Sequence, residues 1–152
     1  MRRLSAVLGV VAIVLGGLIA PGSAGAEVLP VVRFHSVQYD SPGADNRSPD
    51  SLNQEWISVV NTGVQPVNLR RWTVRDDAGK TFTFGGLTLR GNGARVVLHT
   101  GKGRPSTTDV FWNSGNYVWN NTGDAAELRD ASGRTVDSCS WTSKKGRSLV
   151  AC

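Results

Sequence analysis

Beyond residue 30 no stretch of this chain carries the 3.6-residue apolar repeat of a helix over three turns. Short runs rich in β-branched and aromatic residues recur instead, divided by Gly, Asn, Asp and Pro, and this pattern predicts strands. Val31 to Tyr39 alternates, with Val32, Phe34 and Ser36 on one face and Val31, Arg33, His35 and Val37 on the other. Asp40 to Asn53, with two prolines, three aspartates and a glycine, reads as a loop. Glu55 to Asn61 is a strand whose Ile57 and Val59 face a core, and Leu69 to Arg75 is another with Trp72 and Val74 in its middle. The turn Asp77-Ala78-Gly79-Lys80 joins that strand to Thr81-Phe82-Thr83-Phe84 in a hairpin. Leu87 to Leu89, Arg95 to His99 and Val110 to Trp112 follow, the last two separated by a polar loop over Thr100 to Thr108. Asp124 to Arg129 and Arg134 to Trp141 make a second hairpin around Asp130-Ala131-Ser132-Gly133. Strands at such close spacing predict an all-β chain, an immunoglobulin-like antiparallel β-sandwich.

The first 26 residues read differently. Arg2 and Arg3 precede an apolar run from Leu4 to Ala20, Pro21-Gly22-Ser23 breaks it, and Ala24-Gly25-Ala26 offers the small residues of a cleavage site. Residues 1–26 are therefore expected to be a signal peptide cut before Glu27, against the alternative of an uncleaved anchor about 17 residues long. The mature chain has no second run able to insert in a membrane, and it is expected outside the cell or at its surface. Cleavage leaves 126 of the 152 residues, enough for one domain over 27–141 and a tail over 142–152. It also takes away two of the 17 Lys and Arg and lowers the net charge from +5 to +3, a modest excess.

Cys139 and Cys152 are the only cysteines, both near the C-terminus. In an oxidising compartment an even count with no other partner predicts one disulfide, which would pin the tail. Two thiols and two scattered histidines do not suggest a metal site.

Four segments, in order, resemble the lamin tail domain family. They are Asn53-Gln54-Glu55-Trp56-Ile57-Ser58-Val59-Val60-Asn61; Val67-Asn68-Leu69-Arg70-Arg71-Trp72-Thr73-Val74-Arg75-Asp76; Leu89, Gly91 and the run Ala94 to Gly103; and Trp119-Asn120-Asn121-Thr122-Gly123-Asp124-Ala125-Ala126-Glu127-Leu128-Arg129-Asp130. The resemblance spans about residues 30–141. It marks Asn53, Glu55, Trp56, Asn61, Trp72, Trp119, Asn120, Gly123 and Asp124 as fold-defining, and it implies a secreted non-catalytic module of immunoglobulin-like fold. Neither a coiled-coil rod nor an enzyme domain accompanies the domain in this sequence, so filament assembly is not implied. Ser58 stands where the family often has an acid, and the terminal cysteine is a second departure.

Each candidate for chemistry competes with a plainer role. Asp40, Asp45, Asp50 and Glu55 recur at five-residue steps and are the only calcium candidate, although the spacing is not that of an EF-hand and exposed carboxylates are usually just solvated. No other cofactor is suggested. His35 and His99 are the only imidazoles, and no nucleophile motif accompanies them, so a hydrolase is the lesser alternative. Arg70, Arg71 and Arg75, with Lys80, concentrate charge on one hairpin, and Arg104 and Lys144-Lys145-Gly146-Arg147 add to it. Such charge suits an acidic cell-envelope polymer or, more weakly, nucleic acid. Trp112 and Tyr117, among Asn113, Asn116, Asn120 and Asn121, are the surface aromatics to expect at a protein or carbohydrate contact, whereas Trp119 is expected in the core. The leading expectation is a module that binds a protein or an envelope polymer; the alternative is a structural surface protein that self-associates through sheet edges.

Overall fold

The computed structural model describes residues 29–152, so the expected signal peptide and the first two residues after its expected cut lie outside the described residues. Eleven strands and one short helix are present: β1 (Val32–Gln38), α1 (Pro49–Asn53), β2 (Trp56–Asn61), β3 (Val67–Asn68), β4 (Thr73–Arg75), β5 (Thr81–Thr83), β6 (Thr88–Leu89), β7 (Ala94–His99), β8 (Asp109–Phe111), β9 (Gly123–Arg129), β10 (Thr135–Thr142) and β11 (Leu149–Ala151). They form a five-stranded sheet in the order β11-β1-β2-β7-β8, a four-stranded sheet β10-β9-β4-β5 and a small pair β3-β6. Phe34, Val37, Ile57, Val59, Val96 and Leu98 from the first sheet meet Val74, Ala126 and Leu128 from the second, and Phe84 just beyond β5, in one core. The all-β sandwich is therefore the fold, and both expected hairpins, β4–β5 and β9–β10, form.

Several local expectations are corrected. The alternation of β1 breaks at a bulge between Phe34 and Ser36, which turns Val37 and Tyr39 inward although they lie in odd register with Phe34. The segment over Asp40 to Asn53 is not all loop: Ser48 caps α1, its Oγ accepting from the Ser51 amide at 3.2 Å, and Pro49 begins the helix. The strand expected over Leu69 to Arg75 is split, because the chain turns at Arg70-Arg71; Trp72 N donates to Leu69 O at 2.8 Å and Arg71 has φ 67°. The ladder is not wholly antiparallel either, since β8 runs parallel to β7.

The end of the chain is pinned by the expected disulfide and also adds a strand: β11 pairs with β1, with Ser36 opposite Ala151 and Gln38 opposite Leu149. Cys139 of β10 is bonded to Cys152 just beyond β11, so the disulfide joins the two sheets. Beside it, Asp137 of β10 accepts from the Phe34 amide of β1 at 2.8 Å. Both bulges, in β1 and β10, meet at this bond. One flank of the sandwich is thereby closed by a covalent bond and a charge-assisted hydrogen bond.

Candidate functional site

Glu55, expected both as a fold-defining residue and as a calcium candidate, lies at the entry to β2. It shares the parity of Ile57, Val59 and Asn61, and its side chain is fully buried. Its Oε1 accepts from Thr100 Oγ1 at 2.6 Å, Val118 N at 2.7 Å and Trp119 N at 3.3 Å. Its Oε2 is buried without a partner. Burial pushes its carboxyl up to about 7 against the downward pull of those hydrogen bonds. Glu55 therefore fastens the entry to β2 to the chain before β9, and it is no arm of an exposed calcium loop. Asp40 accepts from Asn121 Nδ2 at 2.9 Å, and among the described residues no three acid, histidine or cysteine side chains gather as a metal would require.

The other fold-defining residues also serve the backbone. Asn61 is buried, donates to Gln65 O and Leu89 O and accepts from Gly63 N. Asn53 Nδ2 donates to Lys102 O at 2.8 Å. Asp124 accepts from the amides of Asn120, Asp77 and Ala125 and from Asn120 Nδ2, closing the turn that enters β9. In that turn Gly123 has φ 140°, and a Cβ there would lie 3.1 Å from Trp141 O. Trp119 is buried between Trp112 (centroids 5.8 Å apart) and Trp141 (5.6 Å). Trp72 is only half-buried at the core margin, and Trp56 is half-exposed on the outer face of the five-stranded sheet.

The two histidines stand on different strands with different partners. His99 Nε2 meets Asp109 at 3.0 Å and its Nδ1 meets Asn53 O at 2.8 Å, so both ring nitrogens are held. His35 Nδ1 meets Ser36 Oγ at 2.9 Å, which in turn meets Ser58 Oγ at 3.1 Å, but no carboxylate bonds the other nitrogen. One histidine has an orienting acid and the other has a hydroxyl, on strands separated by β2. Ser58, in place of the family's frequent acid, belongs to this hydroxyl pair. Burial first, then Arg95 and Arg33, hold the His35 imidazolium below its ordinary range.

The five residues expected at a binding surface have four different settings. Arg70 and Arg71 are exposed on the turn between β3 and β4. Arg75 lies at the far end of β4 opposite Glu127. Trp112 is half-buried against Phe82 and Trp119, and Tyr117 is half-buried with its hydroxyl 2.7 Å from Ser51 Oγ. Both aromatics are thus partly packed and partly open to solvent.

A different pattern emerges from the charges. Five carboxylates (Glu55, Asp76, Asp124, Asp130 and Asp137) accept from backbone amides. Of the fifteen Lys and Arg among the described residues, only Arg129 and Arg134 lie within 4.0 Å of an acid, the pairs being with Glu127 and Asp130. These five acids fasten the backbone, while thirteen of the bases have no acid within 4.0 Å. Among the described residues no helix is long and apolar enough to cross a membrane.

Fold and site together define an immunoglobulin-like sandwich whose motif residues hold the backbone and whose surface carries unpaired cations. The family model described as Lamin Tail Domain matches residues 27–143, and the chain belongs to that family. No curated protein matches the chain.

Proposed function

We propose that this chain is an exported, non-catalytic lamin-tail module that works by binding an acidic polymer of the cell envelope. The observation that carries this reading is the separation of charge just described. The mature chain's net charge of +3 attracts a polyanion, and the attraction is strongest locally, where exposed cations have no acid beside them. Exposed Arg70, Arg71, Arg90, Arg95, Lys102, Arg104, Lys144, Lys145 and Arg147 have no acid within 4.0 Å, so no ion pair must break before they engage a ligand. Export is supported by the three-part leader and agrees with the disulfide. The reading needs no cofactor, and a protein partner or nucleic acid is its competitor.

Cosedimentation with purified cell-wall material tests it. The protein should pellet with the wall at low salt and be released as salt rises, and stripping the wall of its acidic polymers should abolish pelleting. Equal pelleting with stripped wall, or none at low salt, contradicts the reading.

A further inference from the structure

We infer that the cavity beneath the loop joining β10 to β11 is a binding site for a phosphate group, the subsite at which the proposed acidic polymer is gripped. The cavity holds about 310 Å³ and is lined by Ser140, Thr142, Lys144, Arg147, Leu149 and Val150, with Tyr39 and Trp141 behind them. It lies on the stapled flank, and the loop over it is held from several sides. Tyr39 Oη donates to Arg147 O at 2.7 Å, Tyr39 N donates to Ser148 O at 2.9 Å, and Arg147 N donates to Lys144 O at 2.9 Å. Beyond the loop, β11 pairs with β1 and the disulfide fixes its end. Lys144 and Arg147 are therefore carried on backbone anchored at both ends, and a ligand would find much of the ordering already done.

The donors choose the chemistry. Lys144 and Arg147 have no acid within 4.0 Å, and the hydroxyls of Ser140 and Thr142 are exposed and make no side-chain hydrogen bond. Two hydroxyls come from β10 and two cations from the loop that returns beside it, so the donors belong to different elements. A tetrahedral phosphate directs oxygens toward several of them at once, whereas a planar carboxylate presents both of its oxygens on one side. Arg matches adjacent oxygens with its fork and Lys adds a point charge. The volume exceeds that of a phosphate alone, and Leu149 and Val150 offer an apolar wall to the alcohol or sugar that bears it.

This inference rests on the proposed polyanion reading, and the test separates the two. Calorimetric titration of the protein with inorganic polyphosphate at low salt would be compared for the wild type, the pair Lys144→Gln/Arg147→Gln and the pair Arg70→Gln/Arg71→Gln. Each pair loses two exposed charges, so long-range attraction falls alike. The first pair should weaken binding about tenfold or more and the second only about twofold. Polyphosphate should also shift the amide resonances of Ser140, Thr142, Lys144 and Arg147, and polyglutamate of equal charge should bind more weakly. If the wild type does not bind polyphosphate, the polyanion reading and this site fall together. If it binds and both pairs weaken alike, or polyglutamate binds as well, the phosphate site is wrong while the broader reading stands.

Discussion

Glu55 shows at the level of one side chain how this family motif works. A carboxyl with one oxygen holding three donors and the other bare inside the core is worth more protonated than charged. Its folded pKa, about 7, lies above the ordinary 4.5, so the folded state holds the proton more tightly than the unfolded state. The resulting stability is fully present below pH 4.5, falls by about 1.4 kcal/mol per unit as pH rises toward 7, and is flat above it. Glu55→Gln should remove that slope from urea-unfolding free energies measured across this range; an unchanged slope would assign it to another group. Glu55→Ala should cost about 3 kcal/mol, because two buried amides and a hydroxyl lose their acceptor. The position was legible in part. Its parity with Ile57 and Val59 places it on the core side, but the five-residue spacing of acids drew attention outward instead. That an acid belongs inside depends on donors at residues 100, 118 and 119, which no local pattern connects to it.

Among elements, the strands with clean alternation or a glycine turn could be read directly, as β2, β7 and the hairpins β4–β5 and β9–β10 show. What escaped was set by distant partners. The bulge in β1 is stabilised where Asp137 takes the Phe34 amide, and β11 is a strand only because β1 offers it an edge. A three-residue strand with polar flanks has no periodicity to reveal it. The partners of Trp112 and Tyr117 are also distant, since Trp112 packs on Trp119 and Phe82 and the Tyr117 hydroxyl meets Ser51, contacts that no local pattern reveals. The disulfide, whose cysteines are 13 positions apart in sequence, should contribute about 3 kcal/mol by restricting the unfolded chain. Cys139→Ala/Cys152→Ala should lower the melting temperature and raise amide exchange first in β11 and at Tyr39 and Asp40, whose amides are held by Ser148 O. Uniform loss of protection across both sheets would contradict the placing of the staple at the flank.

On the scale of the molecule, the sandwich has unlike sides. The flank of β1, β10 and β11 is stapled, and the opposite one, between β5 and β8, keeps a shallow groove of about 370 Å³ lined by Phe82, Leu87, Val110 and Phe111. The β8 edge has little ladder to offer a second copy, because Ser106 N donates to Asp109 O at 2.8 Å and Ser106 Oγ accepts from Asp109 N at 3.0 Å. Of the fifteen Lys and Arg among the described residues, thirteen have no acid within 4.0 Å. The most direct test of their part in recognition is the salt dependence of binding to a defined polyanion. The logarithm of the binding constant should fall linearly with the logarithm of salt concentration, with a slope of about −3 or steeper as several cations release counterions. A slope near zero would contradict the account, for the unpaired cations would then take no part in recognition.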